Sequence, residues 1–399
     1  MENRTHPMLK LRTLELNGFR SFASAESSSE SNVVEFGDTT ILLGANGAGK
    51  SNVVQALELL SRGVSDSLDG YFRQHDPQSF FHMGPKRTSS FRLALKFLDE
   101  GGSAYLFGAD FLYGHGNQGH GKVLVFKEEK RYDKGASPFR PPRDVKSGTL
   151  VPEGFWLNED KARPATTGGV SSSIEQALYS ILTSVRTYQF HDTSGLSALR
   201  LAASGDNARR LMSDGGNLPA FLLAMSQSPD GERNFRLIER HVQRVLPEFG
   251  GFDLALDKAS GRVALNWKSR SNPEYVYGPH QLSDGSLRFI ALGTLLLQPA
   301  KTAPRIIVID EPELGLHPVA LSELAGMVKK AARHSQVILS TQSPQLIDEF
   351  PAKEIRVVEM DPDSGSSRVR ALSEEKLAEW LKEYSPSELW EKNLIGGRP

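Results

Sequence analysis

The stretch GANGAGKS, Gly44 to Ser51, fits the pattern G-x-x-x-x-G-K-[ST] of a loop that cradles phosphates. Its glycines let consecutive backbone N–H groups of Gly44, Ala45, Asn46, Gly47, Ala48 and Gly49 converge on an anion. A helix beginning at Lys50 would add its positive end. In that chemistry Lys50 supplies a point charge to the β and γ phosphates of ATP, Ser51 a hydroxyl to Mg2+, and Asn52 closes the binding segment.

A phosphate loop alone only clamps a nucleotide; hydrolysis needs carboxylates, and RIIVIDEPELGLHP offers them. Asp310 ends an apolar run read as a strand, which aims it at the Mg2+ shell of a nucleotide lying at strand C-termini. Glu311 follows as general base for the attacking water. His317-Pro318 reads as a helix start, with a contact role open for His317. In VILSTQSP, Gln342 lies just past another buried strand and reads either as a sensor of the γ-phosphate or as a polar loop residue.

The stretch QLSDGSLRFIAL, Gln281 to Leu292, resembles half of a second phosphate site. Ser283 reads as an N-cap, with Asp284 and Gly285 in the first turn and Leu287, Ile290, Ala291 and Thr294 along one face. Two helix N-termini of one protomer crowd each other at one phosphate unless they approach from opposite sides. The economical arrangement is a homodimer in which Ser283, Asp284 and Gly285 cover the γ-phosphate held by the other copy.

These residues need a scaffold of strand ends. Thr39 to Leu43 reads as a short buried strand and Lys50 to Arg62 as a helix that Gly63 stops. Phe91, Leu93, Leu95 and Phe97 alternate with polar neighbours, and with KVLVFK they predict an antiparallel subsheet with one wet face. Long loops are expected from about 114 to 169. Helical spacing returns at Ile174 to Val185 and from Leu218 to Val245, with a turn at SQSPDGE; this segment is the candidate lid or arm. RIIVID, QVILST and EIRVVEM are continuous apolar strands around a helix from Val319 to Arg333, which predicts a mainly parallel sheet covered on both faces. The expected α/β organisation is an N-terminal ATPase lobe over 1–170, a helical insert over 171–260 and a C-terminal ATPase lobe over 261–399.

The bulk properties of the 399-residue chain set outer bounds. A formal charge of -1 provides no global field for a polyanion, so any nucleic-acid contact must be a local patch. There is no cysteine, hence no disulfide or thiolate metal site. No apolar run suits a signal peptide or a membrane span, so the expected location is the cytoplasm.

Taken in order, GANGAGKSN, QLSDGSLRF, IDEPELGLHP and STQSPQLIDEF resemble the ABC-type ATPase head shared by SMC, RecF and OLD-nuclease ATPases. With YQFHDTSG, DGGNLPAFLL and the tail AEWLKEYSPSELWEKNLIGGRP, the chain is similar over nearly its whole length to stand-alone bacterial predicted ATPases of the AAA/RecF-like group. The resemblance implies an ATP-dependent homodimer whose signature Ser283 acts in trans. Asp284 and Ser286 depart from the family's usual signature glycine and glutamine. Gln342 stands where ABC proteins carry a switch histidine, which implies slow turnover. Gln74 and Gln78 are both candidates for the glutamine that normally reaches Mg2+. Arg20 in NGFRSF matches an early segment of RecF-like proteins, while His191 and Asp192 in FHDTSG read as architectural.

Two functions compete closely: a dimeric ATPase acting in DNA repair or in defence against mobile elements, and a nucleotide-gated regulator of a separate nuclease or toxin effector. A transporter ATPase subunit is less consistent, because transporter heads place the signature sooner after the phosphate loop. DNA is an expected partner. The richest basic run, KVLVFKEEKRYDKGASPFRPPRDVK, mixes acids with its bases and reads as a solvated loop with a lesser prospect of touching phosphate.

Overall fold

The computed structural model describes residues 9–24, 32–65, 71–72, 75–115, 121–133 and 171–398. Among these, a six-stranded sheet runs in the order Ser366–Ala371, Ile355–Asp361, Thr39–Leu43, Gln336–Thr341, Ile306–Asp310 and Val185–Tyr188. All neighbours are parallel except the edge hairpin Ile355–Asp361 with Ser366–Ala371. Thr39–Leu43 comes from the first part of the chain and its neighbours from the last, so the two α/β regions build one sheet, as their apolar runs predict.

Continuous apolar strands are expected where both faces are covered, and the core divides accordingly. Ile41, Leu43, Ile307, Ile309, Val337 and Leu339 face one cluster with the helices Leu218–Gln227, Pro229–Val245, Asp284–Leu297 and Pro318–Ala331. Leu42, Ile306, Val308 and Ile338 face the other, with the helix Lys50–Ser65 and the five-stranded antiparallel sheet. In that second sheet Phe91, Leu93, Leu95 and Phe97 are buried, as their alternation predicts.

Several boundaries differ from the sequence reading. The first helix runs through Gly63 to Ser65, since a glycine inside a helix costs only about 1 kcal/mol. The helix expected over Ile174–Val185 is Ser171–Leu182, and Val185 already begins a core strand. Ser184 Oγ donates to Ile181 O at 2.7 Å and Thr183 Oγ1 to Tyr179 O at 2.8 Å, which closes the helix before it can continue. Segment 171–260 therefore supplies an edge strand of the core, and its helices Leu218–Gln227 and Pro229–Val245 pack within the same cluster as the sheet. Within the region read as long loops, Gly121–Asp133 is a strand paired with Ala104–His115. Residues 116–120 and 134–170 lie outside the described residues, and with them much of the basic run.

One buried side chain joins the two sheets. Gln336 accepts from Leu11 N at 2.7 Å and donates to Leu11 O at 2.9 Å and Gly37 O at 2.8 Å. It completes three backbone groups where no strand pairs. Gln336→Leu keeps the volume but strands those groups, so it should cost about 2–4 kcal/mol. Chemical denaturation would measure the loss, and an unchanged midpoint would contradict this role.

Candidate functional site

The register of the core sheet brings the motifs to one edge. Asp310 lies opposite Ser340, Ser340 opposite Leu42, and Thr341 opposite Leu43. Gly44, Glu311 and Gln342 therefore leave neighbouring parallel strands at the same carboxyl end, where open α/β sheets bind ligands.

The loop between Leu43 and Lys50 is shaped by close packing. Gly47 and Gly49 hold φ of 81° and 111°, a region that side-chain-bearing residues avoid. A Cβ on Gly44 would collide with Val358 O, and one on Gly49 with Ser367 Oγ. Ser367 Oγ donates to Ala48 O at 2.6 Å and accepts from Ser21 Oγ at 2.6 Å. Asn52 Nδ2 donates to the same Ser21 Oγ at 2.6 Å, so the amide expected at the nucleotide braces the loop from behind. The chain's last described segment adds a further strut: Ala45 N donates to Gly397 O at 3.0 Å while Gly397 N donates to Glu359 Oε2 at 3.1 Å. Asn46, Gly47 and Ser51 remain exposed.

Lys50 is buried, its ammonium donating to Gly44 O at 2.6 Å and Ala45 O at 2.9 Å. Burial pushes it below the usual lysine range, opposed by Glu311, Asp310 and Glu313 in that order. The phosphate-loop lysine thus stands in the field of the carboxylates that the sequence paired with it. Glu311 adopts a left-handed φ of 45° and its N–H donates to Ser340 O at 2.9 Å. Such a conformation costs of order 1–3 kcal/mol and persists only where surrounding bonds enforce it. Asp310 is buried, and its Oδ1 has no hydrogen-bond partner among the described residues. A buried unpaired carboxylate oxygen is costly, and a cation shared with the Ser51 hydroxyl would satisfy it. The donor set fits Mg2+ on that ground.

Sequence reasoning missed Glu313. Its Oε1 accepts from Thr341 Oγ1 at 2.6 Å and from Gln342 N at 3.1 Å, tying the carboxylate loop to the strand end that carries Gln342. Burial raises its pKa above the ordinary glutamate value, its hydrogen bonds oppose the rise, and Glu311 adds to it.

The signature helix is Asp284–Leu297, with Ser283 as N-cap accepting from Ser286 N at 3.1 Å. Ser283 and Asp284 are exposed, and the expected buried face of Leu287, Ile290, Ala291 and Thr294 is observed. Gly285 is required by proximity, because a Cβ there would collide with Gly315 O. Two further arginines, both buried and neither picked out from sequence, fix this helix. Arg200 donates to Thr193 O at 2.8 Å, Pro279 O at 2.6 Å and Asp284 Oδ1 at 2.7 Å. Arg288 donates to Phe190 O at 2.8 Å, His191 O at 3.1 Å and, at short range, Leu314 O. His191 Nε2 bonds Asp310 O at 3.0 Å, which makes FHDTSG a connector between signature and carboxylate loop. Asp192 is exposed and accepts from Ser194 N at 3.0 Å within its own turn. A lone arginine in the otherwise apolar run LRFIALGTLLL was the available signal for Arg288.

The remaining candidates sit away from this network. His317 is the N-cap of Pro318–Ala331, its Nδ1 accepting from Val319 N at 3.4 Å. Arg20 has φ of 50° and stacks its guanidinium 4.8 Å from the Phe80 ring centroid, with burial lowering its pKa. Gln78 is exposed in the turn Pro77–Phe80, and Gln74 lies outside the described residues.

A braced phosphate loop, a strand-end carboxylate pair and an exposed N-capped helix lie together on one mixed sheet, in the fold of an ABC/SMC-type ATPase head. Two solved structures share the fold. A Smc head bound to the C-winged helix domain of ScpA is 17% identical with a TM-score of 0.55, covering 92% of this chain and 99% of that one. A Smc head domain with an extended coiled coil bound to the C-terminal domain of ScpA, derived from Pyrococcus furiosus, is 15% identical with a TM-score of 0.54, covering 94% and 99%. Comparison by sequence with curated proteins gives no match. The family model described as "AAA domain, putative AbiEii toxin, Type IV TA system" matches residues 39–348, and the chain belongs to that family.

Glu313 generates a pH test. Its folded pKa lies above its unfolded value, so the folded state binds more protons between the two, and its contribution is lost as pH rises through that window. Glu313→Gln cannot ionise. Its stability relative to wild type should rise with pH across the window. Urea midpoints at a series of pH values would show this, and a constant difference would contradict the buried carboxylate.

Proposed function

We propose that the chain binds ATP with Mg2+, hydrolyses it to ADP and phosphate, and does so as a homodimer closed around two nucleotides. The observation that carries the reading is the convergence of Lys50, Asp310 and Glu311 at one sheet edge, with Lys50 in the field of both carboxylates. The loop N–H groups not already donated within the chain, those of Ala45 and Ala48 going to Gly397 O and Ala45 O, would receive the phosphates, and Lys50 would exchange its two loop carbonyls for phosphate oxygens. That exchange is favourable because hydrogen bonds between ions are stronger than those to neutral carbonyls. Ser51 and Asp310 would hold Mg2+, which neutralises charge on the β and γ phosphates when bound. Glu311 would take the proton of the attacking water, and Gln342, fixed by Glu313, would orient that water. Exposure of Ser283 on a fixed helix, with the half-buried Gly285 beside it, supports action on a nucleotide held by a second copy, whereas the Asp284 carboxylate is taken by Arg200 and positions the helix instead of meeting phosphate.

The biological reading is an ATPase linked to DNA repair or to defence against mobile elements, with DNA as a partner. A second reading, a nucleotide-gated regulator of a separate nuclease or toxin, is favoured by glutamine at position 342 in place of an ionisable switch and by the toxin–antitoxin description of the family. No helix among the described residues is long and apolar enough to cross a membrane.

Lys50→Ala should weaken ATP binding at least roughly tenfold, the worth of a charged hydrogen bond. Glu311→Gln should keep binding but slow turnover by about 10²–10⁴ and accumulate an ATP-bound dimer visible by light scattering. A Glu311→Gln protein that stays monomeric at saturating ATP would refute the sandwich. Mixed dimers of Ser283→Arg with Lys50→Ala should retain at most one working site. Complete inactivity of dimers shown to form would refute action in trans.

A further inference from the structure

The face where helix Pro229–Val245 lies beside helix Pro318–Ala331 takes no part in the nucleotide site. Arginines recur on the first helix at 233, 236, 240 and 244, a spacing that lines them on one stripe. The stripe is roughly 16 Å long, about the rise of five base pairs. Lys330 and Arg333 line two adjoining cavities of about 480 and 490 Å3, the first also lined by Arg233 and the second by Arg244, while Arg240 lies close enough to Lys330 to repel it.

The carboxylates of this face are already engaged: Asp230 with Lys301, Glu232 with Arg236, and Glu323 with His241 and Arg244. Arg233, Arg240, Lys330 and Arg333 are exposed and have no carboxylate partner among the described residues. Together they crowd one ammonium: after desolvation, it is Arg233, Arg333 and Arg240 that push Lys330 below its usual range. Such mutual repulsion is a standing cost that a polyanion would relieve.

Gly326 lines the second cavity in the middle of helix Pro318–Ala331. A Cβ there would meet no atom within 4 Å, so packing inside the chain does not demand glycine. Glycine in a helix interior costs roughly 0.5–1 kcal/mol relative to alanine, and a bare backbone at a groove floor suits close approach of an external group.

We infer that this groove binds the phosphate backbone of a nucleic acid, with Arg233, Arg240, Lys330 and Arg333 as its phosphate contacts. An elongated cationic groove matches a strand of regularly spaced phosphates better than a single anion. The inference locates the DNA contact of the proposed function but does not rest on ATP hydrolysis.

The test is fluorescence anisotropy of the full chain with fluorescein-labelled duplex and single-stranded DNA, with inorganic tripolyphosphate and polyglutamate as competitors. Wild type should bind DNA with affinity falling steeply between about 50 and 200 mM salt. The combined change Arg233→Glu, Lys330→Glu and Arg333→Glu should weaken binding at least about tenfold and flatten the log–log salt slope by roughly 0.7–0.9 for each phosphate no longer neutralised. Gly326→Glu, which enters open space, should weaken binding while preserving the fold by circular dichroism. ATP binding should be unchanged in these variants, and Lys50→Ala should keep its DNA affinity. Equal affinity of wild type and groove variants would overturn the inference, as would loss of DNA affinity in Lys50→Ala. Binding of tripolyphosphate without DNA would reassign the groove to a small polyanion, and binding of polyglutamate without DNA to an acidic protein.

Discussion

The structure depends on keeping a lysine ammonium dry beside a cluster of carboxylates. Lys50 is buried by the loop that it serves, and its proton is retained because Gly44 O and Ala45 O accept from it while Glu311, Asp310 and Glu313 oppose the cost of desolvation. The rest of the architecture maintains this balance. Parallel register fixes the carboxylates, the left-handed turn at Glu311 directs the chain after Asp310, and Gly44 permits contact with Val358 O that no other residue would allow.

Preorganisation of the phosphate loop is spread over distant parts of the chain. Ser21 and Asn52 bond each other, Ser367 reaches Ala48 O, and Gly397 O receives the Ala45 N–H. Each such bond is worth only about 1 kcal/mol, but together they hold the loop in one conformation. A loop set before its anion arrives spares the ligand the entropy of ordering it.

Much of this was legible in the sequence because it rests on periodicity and local pattern. Continuous apolar runs announced strands buried on both faces, Ser283 announced a helix start, and GANGAGKS announced its strand–loop–helix setting. What escaped is long-range and polar. Val185 was absorbed into a helical pattern because nothing in its neighbourhood shows that Ile306 supplies a pairing edge. Arg200, Arg288 and Glu313 act on carbonyls, N–H groups and single side chains contributed by distant segments, and such partners leave no local pattern to match. Asn52 followed the motif closely enough to suggest phosphate, yet its partner Ser21 lies 31 residues upstream.

These arginines also constrain how two sites could communicate. Arg200 binds the signature loop to Thr193, and Arg288 binds the signature helix to Phe190, His191 and Leu314. His191 in turn holds Asp310 O, so the exposed Ser283 and the buried carboxylate belong to one continuous polar frame. In the proposed dimer, Ser283 of each copy answers to the nucleotide of the other, while Asp310 answers to its own. In that dimer, a shift of the signature helix on closing over one triphosphate would pass through Arg288 to the carboxylate loop of the second site. The Gly285 backbone, packed against Gly315, leaves little slack in that transmission. Closure at one site and geometry at the other would then be one motion, with the buried-arginine frame as the physical link between them.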